Sequence, residues 1–304
     1  MRAFLAAAIA TACTKPNTAT APVSQPADRV LSVGGATIAI HVRGVGPTCL
    51  VVPGGPGLDW TYLRMPAVER ALTLVYIEPV GTGGSSRVPA DQLTRARWAA
   101  DLDGVRAALA LDRPCIIGHS YGGFVAQTFA VAHPDRVGAL VLYDTSPRTD
   151  AAFGEAIGAG LARFKTEPWF ADAMAASELE DSAKTDDEMT ALFHREVPLL
   201  FAEWTKRRGE LEPMIASVRA YAPRGSDHSA FDVRAELPKL HARALVIVGR
   251  GDAITSVPFA NELHDALAGS ELVVLEHSGH MGHLEEPDAF ARAVIAFVTA
   301  TPSP

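Results

Sequence analysis

The stretch Ile116-Ile117-Gly118-His119-Ser120-Tyr121-Gly122-Gly123-Phe124 decides how the rest of the chain reads. A short apolar run, Pro114 to Ile117, precedes it and suits a buried strand. An alanine-rich apolar run, Phe124 to His133, follows and suits a helix packed on a sheet. Strand, Gly-x-Ser-x-Gly and helix, in that order, is the setting of a nucleophile elbow. So sharp a turn holds the serine backbone in a sparsely populated conformation, and the residues near it in space must lack side chains. Gly118 and Gly122 supply that room, and Gly123 lets the helix approach the strand. The turn lifts the Ser120 hydroxyl off the sheet and over a helix N-terminus, where developing negative charge is favoured. The bare five-residue pattern arises often by chance; the flanking strand and helix give this one its meaning.

A serine hydroxyl is a poor nucleophile until a base removes its proton and a third group orients that base. Both partners are present, each after a run that reads as a strand. Gly249-Arg250-Gly251-Asp252 places a carboxylate after the strand Ala244 to Val248. His277-Ser278-Gly279-His280-Met281-Gly282-His283 places imidazoles after the last strand, Glu271 to Leu275. His280 is the expected base because it sits mid-loop behind Gly279. His277 should still belong to the strand end and His283 nears a helix start, so both are expected at the surface or behind the base. Asp252 is the expected acid. Asp144, after the strand Val137 to Tyr143, competes for that place and otherwise reads as a loop or cap-hinge residue. An acyl-transfer site also needs two N–H donors for the oxyanion. Tyr121, next after the serine, supplies one, and the loop Pro53-Gly54-Gly55-Pro56-Gly57 supplies the other, with Gly55 the choice. The prolines stiffen that loop before reaction.

Outward from this centre the chain keeps a regular rhythm. Val30 to Val33 and Ala36 to Val42, around Gly34-Gly35, read as an antiparallel hairpin. Thr48 to Val52 is a strand, Trp60 to Leu72 a helix and Leu74 to Ile77 a strand. Glu78 to Arg87 is a turn-rich loop, and Leu93 to Leu111 a helix with an acidic face at Asp101 and Asp103. Alternating strands and helices imply a mostly parallel sheet covered on both faces. The rhythm breaks at Pro147. From there to about Asp232 the pattern is helical, with the aromatics Phe164, Trp169, Phe170, Phe193, Phe201 and Trp204, and reads as a cap inserted over the sheet. Pro258 to Ala268 and Asp288 to Val298 complete the helices. The expected organisation is therefore a core of residues 28–146 and 233–300 with a helical cap at 147–232.

Composition narrows the partners. With 304 residues, 48% of them hydrophobic, one α/β domain with an insertion suits the chain better than two domains. A formal net charge of −8, with nothing resembling a basic patch, argues against nucleic acid and leaves neutral or cationic small substrates open. No apolar run is long enough to span a bilayer. Cys49 and Cys115 fall in buried strands as small core residues, and no spacing suggests a metal site, a cofactor or a disulfide framework. Met1-Arg2, the apolar run Ala3 to Ala10 and the small-residue exit Thr11-Ala12-Cys13 follow the order of a bacterial export signal. Ala10-Thr11-Ala12-Cys13 looks like a degenerate lipoprotein signal, which would make a lipid anchor at Cys13 the only route to a membrane. Thr14 to Ala27 would then be a disordered tether. The alternative is a ragged cytoplasmic N-terminus.

Elbow, acid, histidine and glycine loop together resemble the α/β-hydrolase superfamily over nearly the whole chain after the N-terminal segment, in that superfamily's chain order of Ser, Asp and His. The resemblance implies an α/β-hydrolase fold with an inserted helical cap and a serine hydrolase activity. Within it, Gly54-Gly55-Pro56-Gly57 and the Gly81-x-Gly83-x-Ser85 loop look like the proline iminopeptidase group. Pro53 stands where that group has a histidine, and Glu78-Pro79-Val80 replaces its Asp-Gln-Arg. That likeness implies release of N-terminal proline or a similar residue from short peptides, with cap glutamates binding the free amino group. Glu178, Glu180, Asp181, Glu196 and Glu203 are the cap carboxylates to consider, an acidic solvated face being the alternative for most of them. A carboxylesterase or lipase-like hydrolase using the same triad, and an idle relative that only binds ligands, remain as competing functions.

Overall fold

The computed structural model describes residues 26–222 and 230–300. The segment bearing the expected export signal and Cys13 lies outside them, and Ala27 already opens the first strand. The hairpin pairs β1 (Ala27–Val33) with β2 (Ala36–Gly44), Val33 facing Ala36. Gly34 and Gly35 have φ of +55° and +80°, the positive pair that a tight two-residue hairpin turn demands. β3 (Thr48–Val52) follows, then α1 (Pro66–Glu69), β4 (Thr73–Glu78), α2 (Arg95–Ala108), β5 (Cys115–His119), α3 (Tyr121–Ala132) and β6 (Ala139–Tyr143).

Four α-helices among the described residues then intervene: α4 (Ala151–Ala162), α5 (Phe170–Leu179), α6 (Asp186–Glu196) and α7 (Trp204–Ile215). The chain returns to the sheet with β7 (Arg243–Gly249), α8 (Val257–Ala266), β8 (Glu271–Leu275), α9 (Gly282–Glu285) and α10 (Pro287–Thr299). The described residues thus form one 8-stranded sheet in the order β1-β2-β4-β3-β5-β6-β7-β8. β3 through β8 run parallel; β2 alone runs against them, and β1, antiparallel to β2, points the same way as the rest.

Side-chain alternation divides the core into two layers. Leu50, Val52, Ile116, Leu140, Leu142, Val246 and Val248 face α2, α3 and α8. Val51, Ile117, Val141, Tyr143, Leu245 and Ile247 face α1, α10 and part of the cap. Burial on both faces is why β4, β5 and β6 read as unbroken apolar runs. Strand order reverses between β3 and β5, since the chain moves one way from β3 to β4 and the other way from β3 to β5. In open parallel sheets ligands bind outside the carboxyl ends of the strands at such a reversal. The glycine loop after β3 and Ser120 after β5 both stand there.

Two expected elements differ in detail. The helix over Trp60 to Leu72 is broken into a 3-10 turn, Trp60–Leu63, and the single-turn α1. Asp59 caps the first piece, and Pro66 opens the second while keeping Met65 out of the helical region. The helix expected over Leu93 to Leu111 is trimmed to α2, capped by Thr94. Its Asp101 is buried rather than on an acidic face, and it accepts Arg97 Nε at 2.9 Å.

Candidate active site

Ser120 joins β5 to α3 with φ 52° and ψ −120°, a strained position for a residue with a side chain. The surroundings hold it there. Its N–H donates to the Tyr143 carbonyl at 3.0 Å, and its own carbonyl accepts Gly123 N–H and Thr145 Oγ1, each at 2.8 Å. The glycines fit the turn by necessity. A Cβ on Gly118 would lie 2.5 Å from the Gly122 carbonyl oxygen, one on Gly122 2.2 Å from that of Val52, and one on Gly123 2.4 Å from Thr145 Oγ1. Gly122→Ala must therefore push α3 off the end of β3, at a cost of about 1–3 kcal/mol or more. Gly154→Ala, on α4 with nothing within 4 Å, should be neutral or slightly stabilising. Thermal midpoints of the two variants check the contrast.

His280, in the loop after β8, is buried, and its Nδ1 lies 2.8 Å from Asp252 Oδ2. Asp252 is fixed in turn: Oδ1 accepts the N–H groups of Ile254 (2.7 Å) and Thr255 (3.0 Å), and Oδ2 accepts the Thr255 hydroxyl (2.7 Å). Burial alone would raise the Asp252 pKa, but the facing His280 and these donors outweigh it and hold the carboxyl well below the usual range. The two expected partners, 28 residues apart in the chain, thus meet. With Nδ1 engaged, Nε2 is the ring nitrogen left for the pocket that Ser120 also lines.

Asp144 stands in the bend just after β6, the loop position expected of it, but not at the surface. It is fully buried at the end of β6, with φ 44° and its Oδ1 accepting Gly249 N–H at 2.9 Å. Burial and then the negative charge of Asp252 push its pKa well above the ordinary carboxylate value, which favours the protonated form. His277 is exposed, and His283 is buried inside α9.

The glycine loop lies against the elbow. Gly54 N–H donates to Tyr62 Oη at 2.5 Å and is thereby occupied, whereas Gly55 lines the pocket beside Ser120. Gly55 has φ +112°, and a Cβ there would come within 2.7 Å of Gly57 N. Tyr121 is the first residue of α3, directly after Ser120. Leu58, Phe193, Leu200, Ile254 and Met281 give the pocket apolar walls. Of the cap carboxylates, Glu180 and Glu196 line it, while Glu178, Asp181 and Glu203 are exposed. Burial pushes Glu196 up to about 7, against a smaller downward pull from the Ser177 hydroxyl. Of the cap aromatics only Phe193 reaches the pocket; Phe164, Phe201 and Trp204 are buried in the packing of the cap.

Some supporting residues left no mark in the sequence. Glu285 takes Gly279 N–H at 2.6 Å and Ala202 N–H at 2.9 Å, which ties the histidine loop to the cap, and His280 N–H donates to the Leu200 carbonyl at 2.7 Å. Glu78 accepts Gly84 N–H at 2.6 Å and so folds the Gly81-x-Gly83-x-Ser85 loop back on itself. Among the described residues, His119, Asp144 and His280 offer donor atoms within 4.8 Å of one another, the spacing of a metal cluster. Both ring nitrogens of His119 and the Nδ1 of His280 already make hydrogen bonds, so the cluster is the site's own scaffold.

Comparison with known proteins agrees with this fold. Residues 47–287 match a family model described as the alpha/beta hydrolase fold. A 2-hydroxy-6-oxo-2,4-heptadienoate hydrolase of Pseudomonas putida is 27% identical, over 90% of this chain and 96% of its own. A pimeloyl-[acyl-carrier protein] methyl ester esterase of Vibrio atlanticus is 25% identical over 86% and 98%. A proline iminopeptidase of Pestalotiopsis fici is 24% identical over 87% and 96%. A solved hydrolase of Pseudomonas aeruginosa, 27% identical, superposes with a TM-score of 0.68 over 90% of this chain and 98% of that one. A family model that spans most of the chain, laid over this sheet order, makes the protein a member of the alpha/beta hydrolase fold family.

Proposed function

We propose that the protein is a serine hydrolase that passes the acyl group of a small substrate to Ser120 and then to water. The observation that carries this is the 2.8 Å contact between His280 and Asp252 at the pocket that Ser120 lines. In this reading His280 takes the serine proton and returns it to the leaving group. Asp252 holds the imidazole in the needed tautomer, and the N–H groups of Gly55 and Tyr121 receive the oxyanion. Small esters are the first substrate class, in keeping with the esterase among the relatives.

A second reading, an acyl group bearing an amine such as an N-terminal prolyl residue, is favoured by Glu180 and Glu196 over the nucleophile. The same pair disfavours carboxylate-bearing substrates such as the dienoate for which one relative is named, because no lysine or arginine lines the pocket among the described residues. An ammonium group beside Glu196 would draw its pKa down from about 7. The KM for aminoacyl substrates should therefore fall as pH rises through 7, until the substrate amine itself deprotonates near 8. Glu196→Gln should raise that KM on the order of tenfold or more and leave neutral esters unaffected. Assay of acyl nitrophenyl esters beside prolyl anilides from pH 6 to 9 separates the readings. Ester turnover with anilides untouched removes the second, and no turnover of either above a Ser120→Ala control removes both.

A further inference from the structure

Behind the candidate catalytic residues lie two buried tyrosine–histidine pairs that triad chemistry does not require. Tyr62 Oη accepts the Gly54 N–H at 2.5 Å and lies 2.8 Å from His119 Nδ1. His119 Nε2 lies 2.9 Å from the carbonyl oxygen of His280. A carbonyl only accepts, so Nε2 carries the ring proton and Nδ1 accepts from the Tyr62 hydroxyl. The direction suits Gly54 as well, since a hydroxyl that accepts one N–H still has its own proton to donate. Hydrogen bonds thus run one way, from Gly54 through Tyr62 and His119 to the His280 carbonyl. The second pair repeats the pattern. His283 N–H donates to Tyr143 Oη (3.0 Å), the Tyr143 hydroxyl donates to His283 Nδ1 (2.9 Å), and His283 Nε2–H donates to the Tyr62 carbonyl (2.8 Å). All four side chains are buried. Burial, reinforced by the neighbouring imidazoles, keeps His119 well below the usual histidine range and brings His283 down to about 4, so both rings stay neutral.

We infer that Tyr62 and His119 are positioning residues that hold the oxyanion loop in register with both the nucleophile and the base. The inference rests on the acyl-transfer reading above. β6 and β7 separate β5 from β8, so the sheet itself does not join the serine turn to the histidine loop. His119 does. It is the residue immediately before Ser120, one ring nitrogen reaches the glycine loop through Tyr62, and the other holds the backbone of His280. Fixing the Gly54 N–H on Tyr62 sets the orientation of the following peptide, whose N–H belongs to Gly55. Oxyanion donors act by being in place before charge develops, and a displacement of about 1 Å can cost on the order of 10²-fold in rate.

The test uses the full chain. A fluorophosphonate probe counts reactive Ser120, and kcat per labelled site, KM and the Ki of a boronic acid, which forms a tetrahedral serine adduct, are then measured. Tyr62→Phe keeps the ring and removes both hydrogen bonds. His119→Gln keeps a donor for the His280 carbonyl, and His119→Leu keeps none. Tyr62→Phe and His119→Leu should lower kcat per labelled site on the order of 10- to 100-fold with KM within a few-fold, raise the boronate Ki by the same factor, and His119→Gln should recover most of the loss. Unchanged kcat per site and Ki, with only the thermal midpoint lowered, would reduce the pairs to packing and overturn the inference. If Tyr62→Phe fails to fold, the contrast between the two His119 variants decides. Failure of the probe to label wild-type Ser120 would instead overturn the acyl-transfer reading, and the inference with it.

Discussion

Ser120→Ala should lower turnover on the order of 10⁶-fold, and adding His280→Ala should lower it no further. In the proposed mechanism the imidazole contributes only by moving the proton of that hydroxyl, so without the hydroxyl it has nothing to act on. What survives, roughly 10³- to 10⁴-fold over the uncatalysed reaction, would come from the oxyanion donors and from substrate binding. The fold should not notice the change. The Ser120 side chain makes no capping hydrogen bond to α3, and the turn is held by backbone bonds to Tyr143 and Gly123 and by the Thr145 hydroxyl. Alanine meets the same φ of 52° as serine does, so the strain is shared by both proteins. Single-turnover rates of the single and double variants, with thermal midpoints beside them, check the prediction. Losses that simply add would mean that the residues do not work as a unit.

How far the sequence reaches follows from what each residue's role depends on. The strands and the elbow were legible because their signals are local: unbroken apolar runs bounded by glycine and proline, and a serine between glycines whose Cβ atoms would collide with Val52, Gly122 and Thr145. The break after Leu63 was carried by Pro66, a local signal too, but it was outweighed by the apolar spacing around it. The carboxylates were harder. Asp144 and Asp252 stand at the ends of neighbouring strands, β6 and β7, and each alone has the signature of the acid. Only the direction of the side chains separates them, since Asp252 turns to His280 while Asp144 turns to Gly249 N–H. Tyr62 and Glu285 were out of reach for a different reason. Their work is to join segments distant in the chain, Tyr62 to His119 and Glu285 to Ala202, and no spacing within one segment records such a meeting. Glu180 and Glu196 appeared among five cap carboxylates, and which of them face the pocket depends on how α5 and α6 pack.

The choice between the two aspartates has a sharp experimental form. Asp252→Asn should lower kcat by about 10⁴-fold, whereas Asp144→Asn should change it only a few-fold. In Asp252, Oδ1 receives two N–H donors, from Ile254 and Thr255, so an asparagine must place its carbonyl there. Its NH₂ then falls at the Oδ2 position, against His280 Nδ1, and that nitrogen has to accept rather than donate. The ring proton moves to Nε2 and faces the serine, where a base is needed. The geometry survives and the chemistry does not. Asp144 is the opposite case. Burial and the adjacent Asp252 charge push its pKa up and favour its protonated form, of which asparagine is the nearest neutral mimic. The amide oxygen can keep the 2.9 Å bond from Gly249 N–H, with the NH₂ where the acid carries its proton. Because Asp252 is held far below the usual carboxylate range, its titration should not contribute to the acidic limb of the pH–rate profile, and Asp144→Asn should leave that limb in place. A 10⁴-fold loss on changing residue 144, with residue 252 tolerant, would assign the acid to β6 and reverse the reading.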